Sequence, residues 1–129
     1  MHGIAIPISA VFTALLALML VAISIRITVL RAGKKINLLD GGDEQLRRAI
    51  RVQGNFIEYV PIALILLALI EWSGAQAWLV YCFGAALLVA RLVHAFGLYS
   101  AVFPARVIGT SATWIIVAAE ALVVLGRVA

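Results

Sequence analysis

Residues 48–61 read RAIRVQGNFIEYVP, and this stretch decides both how the chain folds and where function is expected. Its polar side chains are spaced 3, 4 and 3 residues apart: Arg48, Arg51, Asn55 and Glu58. On an α-helix these offsets place all four on one stripe. The chain then becomes almost pure hydrocarbon from Ile62 to Ile70. A polar stripe that enters a membrane span needs protein, water or a ligand as its partner, so this stripe is the predicted functional site.

The composition is that of an integral membrane protein. Of 129 residues, 65% are hydrophobic and 12% are charged, and mean hydropathy is +1.14. Soluble domains are about 45–50% apolar and about 25% charged. The single cysteine, Cys82, excludes an intrachain disulfide framework. The net charge is +4, but the basic residues cluster beside the apolar segments, which favours membrane topology and anionic ligands over a nucleic-acid partner.

Four apolar segments predict an all-α bundle of four transmembrane helices in one domain. The helices are expected at about residues 4–31, 44–71, 75–96 and 104–126, since a span needs about 20 residues. The residues of the segment Asp40-Gly41-Gly42-Asp43 favour a turn, and Asp43 is expected to cap the second helix. Pro61 inside that helix predicts a kink or a local widening.

The charge asymmetry predicts the orientation of the bundle. Nine of the ten lysines and arginines belong to the side that holds the loops 1–2 and 3–4, and Arg127 alone belongs to the other side. The positive-inside rule then places both loops in the cytoplasm and both termini outside. Because its positive charges follow the first apolar segment, this segment is expected to be a retained helix and not a cleaved signal.

The residues alone leave two interpretations of the stripe open. In the first, Glu58 pairs with Arg51 and Asn55 bonds to another helix, so the stripe only holds the bundle together. In the second, surplus arginine binds an anion, because a planar guanidinium suits bidentate capture of carboxylate or phosphate. Other arginines are expected at similar depth: Arg26, Arg31, Arg91 and Arg106. Such an anion would also carry an amine or amide for Glu58 and Asn55.

The motif RxxRxxxNxxExxP, entering a second membrane helix after a basic, Gly-Asp-rich loop, resembles the MAPEG family (membrane-associated proteins in eicosanoid and glutathione metabolism). The wording DGGDEQLRRAIRVQGNFIEYVP is particularly similar to small bacterial members, and length, span number and loop sizes agree over essentially the whole chain. The resemblance implies a homotrimer in a bacterial inner membrane, with glutathione as co-substrate between subunits at the cytoplasmic end. The implied activity is that of a glutathione transferase or peroxidase acting on a lipophilic electrophile from the bilayer.

The resemblance also implies roles for single residues. Arg48, Arg51, Asn55 and Glu58 match positions that hold glutathione. Arg51 would take a carboxylate, and Glu58 would take the glutamyl ammonium. Arg31, at the end of helix 1, resembles a glutathione-contacting arginine supplied by that helix.

The catalytic candidate is Arg106, which resembles an arginine at the start of helix 4 that stabilises the glutathione thiolate. A cation in a low-dielectric site favours the anionic nucleophile over the thiol. The alternative for Arg106 is an interfacial anchor among membrane lipids. Near the end of helix 3, glutathione-using eukaryotic members of the family carry tyrosines, whereas this chain has His94 and Leu98, with Tyr99 one position later. His94 and Tyr99 are the candidate glutathione contacts there.

A non-enzymatic membrane protein is the alternative function, either a small four-helix exporter or a structural protein. Small multidrug exporters share the length and span count, but their essential acid lies in helix 1, which has no acid here. Glu120 is alone in helix 4. It is expected to pair with an arginine of another chain, to bond across a subunit interface, or to lie protonated in the core. His94 has no second His or Cys nearby, so no metal site is predicted.

Overall fold

A computed structural model describes residues 5–128 of the chain. The secondary structure consists of four long helices: α1 (Pro7–Lys34), α2 (Glu44–Trp72), α3 (Ala77–Tyr99) and α4 (Phe103–Val128). Each is long and apolar enough to cross a membrane, and the described residues contain no β-strand. The predicted all-α, four-span class is therefore confirmed. The expected start of the first helix, residue 4, lies outside the described residues.

Helix α1 continues to Lys34, beyond the expected end at residue 31. Lys35 closes the helix in the left-handed conformation, with φ of 54°. The N–H of Ile36 donates to the carbonyl of Arg31 at 3.1 Å. This closure satisfies carbonyls that a helix end otherwise leaves free. Arg31 consequently lies inside the last turn of α1 and not beyond it.

Helix α3 continues to Tyr99, three residues past the expected end at Phe96. Gly97 does not stop the helix, because the backbone of α4 packs directly against it. A Cβ added at Gly97 would lie only 2.3 Å from the backbone nitrogen of Arg106. The glycine thus allows close helix packing. From the sequence alone, a glycine with this role cannot be distinguished from a glycine that ends a helix. The first helix begins at Pro7, three residues after the expected start, and the remaining helix bounds differ from the expected ones by at most two residues.

The connection between α1 and α2 has the predicted turn and cap. Gly41 and Gly42 have φ of 55° and 78°, which glycine adopts without steric cost. The Asp43 carboxylate accepts a hydrogen bond of 2.8 Å from the backbone N–H of Leu46. This bond satisfies one of the N–H groups that the first turn of α2 leaves unpaired.

Two ion pairs hold this connection against its helices. Lys34 contacts Asp43 at 2.5 Å, and Arg47 contacts Asp40 at 2.6 Å. The hydrogen bond from Arg47 lowers the pKa of the Asp40 carboxyl below its ordinary value. The hydrogen bond from Lys34 does the same to the pKa of Asp43.

At the opposite end of the bundle, Glu71 from the last turn of α2 caps the start of α1. Its two carboxylate oxygens accept hydrogen bonds from the backbone N–H groups of Ile8, at 2.9 Å, and Ser9, at 2.7 Å. A negative charge is favourable there, because the N-terminus of a helix carries unpaired N–H groups and positive dipole charge. Glu71 therefore joins the first two spans.

Helices α2 and α3 form the centre of the bundle, because each packs against all three other helices, whereas α1 and α4 do not pack against each other within residues 5–128. Apolar side chains fill its centre, including Leu16, Leu46 and Leu87. Helices α3 and α4 approach each other closely at Gly97 and Gly109, where an added Cβ would meet the backbone of the other helix. The outer faces expose large apolar residues, as a lipid-facing surface requires.

Candidate functional site

The polar stripe of α2 lies beside the face that packs into the bundle. Its neighbours Ala49, Val52, Phe56 and Val60 are buried and fix the rotation of the helix. With that rotation, Arg51 and Glu58 are exposed, and Arg48 and Asn55 are half-buried. The stripe is thus partly open in the described chain.

Arg51 and Glu58 do not neutralise each other. Three ion pairs occur within residues 5–128, and they join Lys34 to Asp43, Arg47 to Asp40 and Arg48 to Glu44. Neither Arg51 nor Glu58 has a hydrogen-bond or ion-pair partner among these residues. The Arg51–Glu58 pair of the purely structural interpretation is therefore absent from the described subunit, and both charges remain available.

Asn55 instead contacts a buried arginine of α3. Both Nη1 and Nη2 of Arg91 donate to Oδ1 of Asn55 at 2.9 Å. The Arg91 side chain is buried, with the residue only 1% exposed, and no carboxylate lies within ion-pair distance in the described part of the chain. This contact agrees with the half of the structural interpretation in which Asn55 bonds to another helix. The sequence placed Arg91 among arginines at similar depth but did not connect it to Asn55.

Arg48 and Arg106 line one cleft at the end of the bundle. The cleft has a volume of about 250 Å³ and is also lined by Glu44, Gly97 and Leu98. Arg48 is ion-paired with Glu44, one helical turn before it. Arg106 has no ion-pair partner among residues 5–128, so it is the cation of this cleft that is free to meet an anion.

The two predicted glutathione contacts of α3, His94 and Tyr99, do not line that cleft. His94 is only 3% exposed, and its backbone nitrogen would be 2.5 Å from a Cβ added at Gly109 in α4. It therefore lies within the α3–α4 contact. Tyr99 is half-buried beneath Arg26, whose guanidinium carbon is 4.4 Å from the ring centroid, a favourable cation–π distance. Its hydroxyl is enclosed and has no partner in the described subunit.

Arg31 lies in a second cleft at the end of α1. This cleft measures about 430 Å³ and also contains Thr28, Lys35 and Asn37. The Nη1 atom of Arg31 is enclosed and has no hydrogen-bond partner among the described residues. The structure therefore brings Arg48 to Arg106 and Asn55 to Arg91, and it leaves Arg31 in a separate place on the same subunit.

Glu120 lies in the interior of a single subunit. It is 0% exposed, and neither carboxylate oxygen has a hydrogen-bond partner within residues 5–128. Of the three positions expected from the sequence, this is the one in the core. Burying a charged carboxylate without a partner is very costly, so this position favours the neutral acid.

The sequence comparisons agree with one another. Residues 9–126 match the MAPEG family. The chain is 40% identical over 107 residues to the inner membrane protein YecN of Escherichia coli strain K12. The aligned region covers 83% of this chain and 82% of that protein. The YecN protein of Escherichia coli O6:H1, strain CFT073, matches to the same extent. The similarity to YecN extends over most of both proteins, and the family match at residues 9–126 reaches all four helices of the fold.

Proposed function

This chain belongs to the MAPEG family of membrane proteins, and we propose that it is a multi-pass protein of the bacterial inner membrane that binds glutathione on the α2 stripe. In this proposal the bound thiol attacks a lipophilic electrophile or peroxide that arrives through the bilayer. Both basic loops face the cytoplasm, where the excess of lysine and arginine is favoured.

The observation that carries this proposal is the pair of unpartnered charges on α2. Arg51 and Glu58 are seven residues apart, which is about 10 Å along a helix. Glutathione has two carboxylates and one ammonium, so it can place a carboxylate on Arg51 and its ammonium near Glu58. A bidentate guanidinium–carboxylate contact at this depth, partly shielded from water, is stronger than a surface ion pair.

Arg106 is the proposed catalytic residue. A free thiol with a pKa of about 8.5 is mostly protonated at neutral pH, and a nearby guanidinium stabilises the thiolate, which is the nucleophile. With a carbon electrophile, the sulfur forms a thioether as the leaving group departs. With a hydroperoxide, the sulfur takes the terminal oxygen and releases an alcohol. A second glutathione then gives the disulfide and water.

A homotrimer would complete the site. On one subunit the predicted contacts are divided between an open helix face and two separate clefts, one with Arg48 and Arg106 and one with Arg31. If α1 of one subunit packs beside α2 of its neighbour, Arg31 can approach the stripe from the other side. Assembly would also enclose Arg51 and Glu58 and thereby strengthen their contacts with the ligand.

Calorimetric titration of the detergent-solubilised protein with glutathione tests the binding proposal. We expect saturable binding that is weakened at least about tenfold by Arg51→Ala and by Glu58→Ala, since each removes a charged contact. Arg127→Ala is the matched control, because it removes an arginine at the opposite end of the bundle. Absence of saturable binding, or equal affinity in all four proteins, would refute the proposal.

The catalytic role needs a separate measurement. With a chloronitrobenzene as electrophile, Arg106→Ala should lower kcat by about 100-fold, the effect of losing one electrostatic contact to the developing anion. The dissociation constant for glutathione should change much less. If the protein binds no glutathione but exports cations in a Glu58-dependent and proton-gradient-dependent way, the exporter alternative is correct instead.

A further inference from the structure

The contact between Arg91 and Asn55 fixes which atom of the asparagine faces the ligand side. A guanidinium has five N–H donors and no acceptor. The side-chain atom that faces it must therefore be the acceptor Oδ1, and both Nη atoms donate to that oxygen at 2.9 Å. A carbonyl oxygen has two lone pairs, so Arg91 occupies the whole acceptor capacity of Asn55.

The remaining polar atom of Asn55 is Nδ2, a donor. It donates to no residue between 5 and 128, and it is not one of the enclosed atoms that lack a partner. Asn55 itself is half-buried and lies between Arg51 and Glu58 on the stripe. The accessible polar group at the middle of the stripe is thus an N–H₂ group.

We propose that Arg91 is a positioning residue that makes Asn55 an obligate hydrogen-bond donor, so that the ligand must present a carbonyl or carboxylate oxygen between its contacts with Arg51 and Glu58. This inference rests on the proposed function and specifies it further. It replaces the expectation that Asn55 receives an amine or amide N–H of the ligand. Glutathione meets the requirement, because its peptide carbonyls lie between its charged ends.

The arrangement of Arg91 also argues against a purely structural role. Burial of a guanidinium is costly, and a structural arginine at membrane depth normally has a carboxylate as its partner. Arg91 has only the neutral amide of Asn55, and its Nε is enclosed without any partner in the described subunit. Two apolar side chains would fill this part of the core at a lower cost, whereas they could not orient a donor toward a ligand.

The affinity for glutathione tests the positioning role. Arg91→Met removes the donors but keeps an unbranched apolar side chain, and Arg91→Lys keeps donors. We expect Arg91→Met to weaken glutathione binding about tenfold, which corresponds to the loss of one hydrogen bond of about 1.4 kcal/mol. Arg91→Lys should weaken glutathione binding less than about threefold.

The decisive control is the same change in an Asn55→Ala background, where there is no amide to orient. In that background, adding Arg91→Met should lower the affinity for glutathione by less than about twofold, because the two residues act through one contact. An equal loss in both backgrounds would mean that Arg91 acts independently of Asn55. If Arg91→Met caused no loss of glutathione affinity in the parent protein, Arg91 would have no role in binding. Either result overturns the inference.

A ligand-free measurement separates this inference from the proposed function. Asn55→Asp keeps acceptors for Arg91, whereas Asn55→Leu leaves the buried guanidinium unpaired, so only the second should lower the unfolding temperature. Asn55→Asp should nonetheless lose glutathione affinity, because it has no donor. If the parent binds no glutathione, the proposed function and the ligand requirement both fail. Equal unfolding temperatures for Asn55→Asp and Asn55→Leu would instead refute the Arg91–Asn55 contact.

Discussion

Gly97→Ala perturbs the candidate catalytic cleft without touching any charged group. Gly97 lies in α3 where the backbone of α4 passes closest to it. The Cβ of an alanine there would be 2.3 Å from the backbone nitrogen of Arg106 and 2.8 Å from the carbonyl carbon of Ala105. Both neighbours are backbone atoms of a packed helix, so no side chain can rotate away.

The size of the effect follows from these distances. Ordinary van der Waals contact begins at 3.4 Å, so the two helices must separate locally by about 1.1 Å. Overpacking of this kind costs about 1–3 kcal/mol in a well-packed interior. The gain in helix propensity from glycine to alanine, about 1 kcal/mol, opposes it. A net loss of about 0–2 kcal/mol in the free energy of unfolding is therefore expected.

The functional effect should exceed the effect on stability. Arg106 and Gly97 line the same cleft, so the separation moves the Arg106 guanidinium relative to Arg48. A misplacement of about 1 Å can cost about 100-fold in rate, because the contact to the developing thiolate depends on geometry. The assay is kcat with glutathione and a chloronitrobenzene, beside detergent unfolding monitored by circular dichroism.

Gly54→Ala is the matched control. It is the same chemical change in the middle of α2, and nothing lies within 4 Å of the added Cβ. This variant should be as stable as the parent or more stable, with kcat unchanged within about twofold. If Gly97→Ala were as stable and as active as Gly54→Ala, the close approach of α3 to α4 and its role in placing Arg106 would both be wrong.

Three further predictions concern other parts of the bundle. Glu71→Ala should lower the free energy of unfolding by about 2 kcal/mol, because the cap of α1 is lost, and Glu71→Gln should lower it less. If the free energy of unfolding of Glu71→Ala equalled that of the parent, the cap would not form. Glu120→Met should raise the free energy of unfolding by about 1 kcal/mol, because it removes a buried acid without partners; a loss would reveal a partner of that acid. The depressed pKa values of Asp40 and Asp43 mean that their ion pairs stabilise the fold above the ordinary carboxyl pKa and are lost as pH falls through the depressed values. The carboxyl ¹³C chemical shifts of both aspartates should accordingly titrate with midpoints below pH 3.8, the ordinary carboxyl pKa. Midpoints at or above pH 3.8 would exclude the ion pairs.

Local features of the fold were predictable from the sequence because their causes are local. The Asp43 cap and the positive φ of Gly41 and Gly42 depend on residues within a few positions of each other. The four spans follow from apolar length alone. The expected end of helix 3 at residue 96 was three residues too early for the complementary reason, because the close contact of Gly97 is made with α4 and not with its neighbours in the chain.

The contacts that join the helices, at the candidate site and elsewhere, connect residues that are far apart in sequence. Asn55 and Arg91 are separated by 36 positions, and Glu71 caps residues 62 and 63 positions before it. The stripe itself was readable because an α-helix converts spacing into a shared face. Its partners were not readable, since the rotation and depth of α3 decide which arginine meets Asn55. A sequence signal was nevertheless present in the isolated Arg91 within an apolar run.

The distribution of carboxylates explains why the site should prefer an anion. Three of the six acids, Asp40, Asp43 and Glu44, are already paired with basic residues at the end of the bundle that holds the loops 1–2 and 3–4. Glu71 caps α1 at the other end, and Glu120 is enclosed in the core. Glu58 is therefore the one acid that remains, whereas five arginines have no ion-pair partner within residues 5–128: Arg26, Arg31, Arg51, Arg91 and Arg106. Within residues 5–128 none of those arginines has a carboxylate at ion-pair distance. Because a low-dielectric surrounding strengthens this uncompensated positive potential, a ligand with more negative than positive charge is favoured, and one ammonium group can still be placed at Glu58.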